Sequence, residues 1–180
     1  MSVQRKDIRN QVVSIIKRAK TRAGDNVVPN RQKPPWEERL PAISVRAEDE
    51  TVTESTQAQK EFKRVLSLAI EVHDKSTDEA ELSDRLDDIA DQIEDALFAD
   101  YTLNDKINEL NVQSVNVDFE EEGGNVFAAL KIIFQATYYE YRPSDRFNQK
   151  LNDFNTADVK YDLADGDDDV MQAEDNIDMT

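Results

Sequence analysis

Between residues 3 and 22, Ile8, Val12, Ile15, Ile16 and Ala19 recur at spacings of four, three, one and three. That is one stripe of a helix with 3.6 residues per turn. Arg5, Arg9, Lys17, Arg18 and Lys20 fall mainly on other faces, and Gly24 offers a stop. The apolar rhythm then lapses. Over residues 24–41, Pro29, Pro34, Pro35 and Pro41 fix φ and remove backbone donors, which predicts a long loop containing Trp36. Trp36 either staples that loop to the chain's own core or meets a neighbouring subunit, and the sequence leaves both readings open.

A period of two follows. Ala42 to Thr53 opens with Ile43 and Val45 on one face and then turns polar. Lys60 to His73 places Leu66, Leu68, Ile70 and Val72 on one side and Val65, Ser67, Ala69, Glu71 and His73 on the other, as a half-buried strand does. Residues 54–59 read as the exposed connection between them. The rhythm next returns to helix over Ser76 to Asp100, with Leu82, Leu86, Ile89, Ile93 and Leu97 on one stripe and acidic residues on the other faces. Ser76 and Glu79 fit a capping box at its start. Residues 102–110 read as a short helical turn.

Val115, Val117 and Phe119 then alternate in a strand. Glu120 to Asn125 is a turn whose two glycines can take positive φ. Val126 to Tyr141 is a long strand with Leu130, Ile132, Phe134, Ala136 and Tyr138 on one side and Lys131, Gln135, Thr137 and Tyr139 on the other. From Arg142 the chain becomes polar, with Phe147, Leu151 and Phe154 spaced as a short helix or a clamp segment would space them. Residues 157–180 carry nine acidic residues and one Lys, a composition expected to be mobile alone and able to order on a partner.

Charge sharpens this layout. The 180 residues have a net charge of −17, which argues against phosphate-driven binding of nucleic acid. Residues 1–46 carry eleven Lys/Arg against four Asp/Glu, a net of +7, so the remainder holds −24. Such asymmetry can orient subunits on one another or on an oppositely charged partner. There is no cysteine, which excludes disulfides and thiolate metal sites. The N-terminal residues lack a signal-peptide core, and the longest apolar run, Val126 to Phe134, is broken by Lys131. The expectation is a soluble chain made in the cytoplasm, with no membrane partner.

The chemistry that remains is sparse. His73 is the single histidine, so the usual nucleophile–base pairs have little to work with, and a surface or interface role suits it better. The stretch Asp162 to Gly166 places one glycine as an EF-hand loop would, but Tyr161, Leu163 and Gln172 stand where ligands belong. The Gly123–Gly124 pair precedes a strand, not a helix, so it is no phosphate-binding loop. The many carboxylates on the 76–100 helix are the ordinary dress of a solvated acidic face. No catalytic residue, cofactor or metal is expected.

The order of elements resembles the tail terminator proteins of long-tailed phages, the minor tail protein U type. The resemblance spans about residues 3–141. It rests on the strand Leu40-Pro41-Ala42-Ile43-Ser44-Val45 followed by Glu48, Asp49 and Glu50. It rests also on the strand Phe62 to Val72 leading straight into the 76–100 helix, and on the closing strand 129–141. It implies an α+β fold, a mixed or antiparallel four-stranded sheet covered by helices over residues 1–141; the stretch 142–180 is longer than the resemblance explains and reads from its composition as an extended C-terminal arm, acidic from 157. It implies a virion protein assembled in the host cytoplasm: a ring, expected to be a hexamer, on the head-proximal end of the tail tube. The partners implied are further copies of the chain, the tube protein, a neck or head-completion protein and, in contractile tails, the sheath. DNA would pass the lumen without specific binding. On that reading Arg5, Arg9, Lys17, Pro34, Pro35, Trp36 and Arg39 meet neighbours, and Phe147 and Phe154 belong to the arm. The competing readings are another head–tail connector or stopper and, in a different class, an acidic adaptor that sequesters a basic protein.

Overall fold

The computed structural model describes residues 4–30, 39–56 and 61–141, and the backbone of 156–160 and 174–178. Helix α1 (Gln4–Ala19) buries Ile8, Val12, Val13, Ile15 and Ile16. Ala19, placed on that stripe by its spacing, is exposed, because the helix ends there and Lys20 turns away with φ 50°. Strand β1 (Val27–Pro29) lies where a plain loop is expected. It runs parallel to β2 (Ala42–Thr56), pairing Val27 with Ile43 and Pro29 with Val45. The Leu40–Pro41 peptide bond before β2 is cis.

Strand β3 (Glu61–Ser76) is longer than its sequence period indicates and runs antiparallel to β2. Because Ser76 is still paired with Val126, it cannot cap the following helix. Helix α2 (Glu79–Phe98) is capped instead by Asp78, whose carboxylate accepts from the backbone N–H groups of Ala80 and Glu81 at 2.9 and 3.3 Å. Ser76 Oγ sits two residues earlier and accepts from Asp78 N at 3.2 Å.

The stretch 102–110 does turn once, Lys106 N donating to the Thr102 carbonyl at 3.0 Å, but with left-handed and not ordinary helical angles. Leu103, Asn104 and Asp105 all have positive φ, and Asp100 braces the bend by accepting from Thr102 Oγ1 at 2.9 Å and from Asn104 N at 2.8 Å. Leu103 and Ile107 are driven into the core, and β4 (Glu109–Glu122) then starts earlier than its apolar alternation shows. A two-residue turn, Gly123 and Gly124 with φ of 61° and 81°, joins β4 to β5 (Asn125–Tyr141). Only glycine takes both angles without strain, which fixes the register of this hairpin.

The sheet has five strands, not four, in the order β1-β2-β3-β5-β4, and is mixed only through its β1–β2 edge. Both helices lie on one face. Their apolar stripes meet Ile43, Val45, Leu66, Leu68, Ile70, Val72, Leu130, Ile132, Phe134 and Ala136 in a single buried cluster. The opposite face has no helix among the described residues. Within 142–180, two short strands, β6 (Thr156–Lys160) and β7 (Glu174–Asp178), pair antiparallel; the rest of that stretch lies outside the described residues.

Candidate assembly surfaces

Three surfaces have the geometry of contact sites. The first is the basic helix. Arg5, chosen as a contact with neighbours, reaches inward: its Nη2 donates to the Glu48 backbone carbonyl at 2.6 Å. It thereby ties the start of α1 to the irregular stretch of β2, where the pairing slips between Ala47 and Glu50. Arg9 is partly exposed and donates to Asn10 Oδ1 at 3.4 Å, while Lys17 is exposed. These two remain available to a neighbour; Arg5 serves the fold.

The second surface is the corner where α1 meets β1. Asn26 fastens it, donating from Nδ2 to the carbonyl of Arg39 and, at 3.2 Å, to that of Pro41. A cavity of about 370 Å³ opens there beside Arg22, Asn26, Arg39 and Pro41. Arg39 is exposed on its rim. Pro34, Pro35 and Trp36, and likewise Phe147 and Phe154, lie outside the described residues.

The third is the sheet face away from the helices, which the sequence reading did not single out. Charges bridge its strands. Arg46 on β2 pairs with Glu71 on β3 and lies 3.7 Å from Glu48; Lys131 on β5 pairs with Glu48 at 2.9 Å. His73 Nε2 is 3.7 Å from Glu71. The neighbouring His73 imidazole, with the charges of Arg46 and Lys131, holds the Glu71 carboxyl below its ordinary value against the opposing effect of burial. Tyr139 and Tyr141 stand half-exposed farther along the same face. The signal for this lattice was present in the alternation of β2, β3 and β5, but which charges oppose each other depends on register.

None of these surfaces gathers a nucleophile, a base and an oxyanion donor, and no cluster of His, Asp and Glu among the described residues has the arrangement of a metal site. Their chemistry is that of cross-strand ion pairs and exposed aromatic rings. Against this geometry, residues 3–138, from the first turn of α1 to near the end of β5, match the model of phage minor tail protein U. The chain belongs to that family. It is a structural tail protein of the phage virion, which meets other tail components. No curated protein matches the chain by sequence. A solved structure described as "Virion of native gene transfer agent (GTA) particle" is similar to it at 13% identity and a TM-score of 0.39, covering 68% of this chain and 84% of that one. A likeness that slight supports nothing further.

Proposed function

We propose that this tail protein is a terminator: a ring, expected to be a hexamer, seated on the head-proximal end of the tail tube. The observation that carries the reading is the family match over the whole helix-covered sheet. A ring that closes needs two different patches on each subunit, one docking into the other. A ring that stops a polymer must also be two-sided. One side binds the last ring of tube subunits, and the other offers no surface on which a further tube ring can add, so it is free to meet a neck or head-completion protein. The uneven charge, +7 over residues 1–46 and −24 beyond, suits such polarity. Acidic walls around the lumen would let DNA pass without adhering. In a contractile tail the outer surface would also meet the sheath.

Residues 1–141 form the ring-building body on this reading, and 142–180 an arm that grips an adjacent subunit, sheath or neck protein. Electron microscopy of tail tubes incubated with the purified chain tests the assignment. Rings on one end of each tube, and tubes that no longer elongate when more tube protein is added, are the expected result. Tubes that elongate unhindered, or binding only at the portal, would replace the terminator with a stopper. A stable one-to-one complex with a basic protein would replace it with an adaptor. A chain ending before residue 157 should melt like the full chain yet cap tubes poorly; normal capping would remove the arm from the account.

A further inference from the structure

Among the described residues β4 is an edge strand, hydrogen-bonded to β5 alone within the five-stranded sheet. From Val115 to Glu122 every one of its residues is exposed. Val115, Val117 and Phe119 lie directly across from Ile132, Leu130 and Ala128, which are buried, so all six occupy the helix side of the sheet. The three on β4 are nevertheless 46%, 38% and 42% exposed. The core-facing side of the sheet therefore runs one strand farther than its cover. The alternate positions, Asn116, Asp118 and Glu120, face the other way, and β4 contains no Lys or Arg.

A strand added along this edge would set one row of side chains beside Val115, Val117 and Phe119 and the other beside Asn116, Asp118 and Glu120. The first row favours apolar residues and the second favours cations. Among the described residues, the sheet's other open edge is β2 beyond Val45, where β1 stops. It carries Glu48, Asp49, Glu50 and Glu54, and its one cation, Arg46, is already held by Glu71 and Glu48. Two acidic edges repel, so the β2 edge of a second copy is a poor match. Acidic residues by themselves would serve to keep an edge solitary, but they leave unexplained three half-exposed apolar side chains in a row.

We infer that the β4 edge accepts a strand from a different tail protein, an extended segment in which apolar residues alternate with Lys or Arg. The inference is independent of the terminator reading, because it is tested without tubes. The full chain is mixed with a short peptide of alternating lysine and valine, and with a control peptide of alternating glutamate and valine, and amide hydrogen exchange is followed residue by residue. The lysine–valine peptide should slow exchange across residues 114–122 and bind more weakly as salt rises. Val117→Glu should weaken binding roughly tenfold, and Asp118→Lys, on the other row, should weaken it several-fold, with melting temperatures close to that of the unaltered chain. Equal binding of the glutamate peptide, protection on β2 in place of β4, or no protection at all overturns the inference. So does self-association of the chain through β4 without peptide, which would make the partner a second copy.

Discussion

β5 and β4 carry the same alternation and end differently. On β5, Ala128, Leu130, Ile132, Phe134, Ala136 and Tyr138 are all buried. On β4, Val115, Val117 and Phe119 continue that side of the sheet and remain half-exposed. The difference is not in the strands but in what lies over them. α2 packs on β3 and β5, and its rim residue Phe98 reaches the Phe134 ring, 6.2 Å between centroids. Beyond Val112, which still packs against the core, β4 has no such cover among the described residues. Alternation thus specifies a strand with a preferred side; burial of that side is decided by a separate element.

The sharpest probe of this contrast is a pair of identical truncations. Phe134→Ala removes a fully buried ring from the centre of the core and should cost about 3–5 kcal/mol in chemical denaturation. Phe119→Ala removes the same ring from β4 and should cost less than about 1 kcal/mol. Comparable losses would mean that Phe119 is packed as tightly in solution as Phe134.

A second uncovered region handles the lack of helices in another way. Past the last apolar pair, Leu66 with Ala136, the helix side of β2, β3 and β5 carries Glu50, Arg64, Tyr138 and Glu140. Arg64 Nη1 meets Glu50 at 3.0 Å, and its Nε lies 2.6 Å from Glu140, an ion pair whose angle departs from that of a hydrogen bond. Tyr138 donates its hydroxyl to Glu50. The Arg64 side chain is only 10% exposed, so these charges seal the sheet where β4 leaves it open. Arg64→Ala would strand two carboxylates beside each other with their cation gone. It should cost about 3 kcal/mol, next in size to the core truncation, whereas loss of a well-solvated pair such as Arg22–Asp88 is worth about 0–1 kcal/mol. If Arg64→Ala proved as mild as that, the cluster would be an ordinary surface pair and the two open regions would not differ.

These contrasts mark how far the fold could be read in advance. Both long helices and the β4–β5 hairpin were legible, since each spans enough residues for its period to show and glycines mark an end of α1 and the turn of the hairpin. β1 was not, because three residues beside a proline have no period, and its parallel pairing with β2 is non-local. The capping residue was misplaced by two positions because β3 runs on through Ser76, a fact of pairing with Val126 and not of local composition. The contact residues fared less evenly. Arg5 has the exposed spacing of a solvent-facing cation yet is spent on a carbonyl 43 positions away. The lattice joining Glu48 to Lys131 spans 83 positions and could not be seen before the register of three strands was known.

The smallest effect tests the same distinction between the two faces of one sheet. In the apolar core beneath the helices, stability comes from burial and involves no group that titrates in acid. On the open face, Glu71 lies 3.7 Å from His73 and pairs with Arg46, and its carboxyl is held below its ordinary value. A carboxylate whose pKa is depressed by folding adds stability that is fully present above its unfolded pKa. That contribution fades as pH falls from the ordinary carboxylate range through the lower folded value. At neutral pH the unaltered chain should therefore melt higher than Glu71→Gln. On acidification the two curves should converge, because protonated Glu71 and glutamine both lack the charge. Melting temperatures measured from pH 7 down to about 3, the span in which carboxylates titrate, check this. A gap that stays constant over that span would assign Glu71 a packing role and leave the charge lattice without weight in the fold.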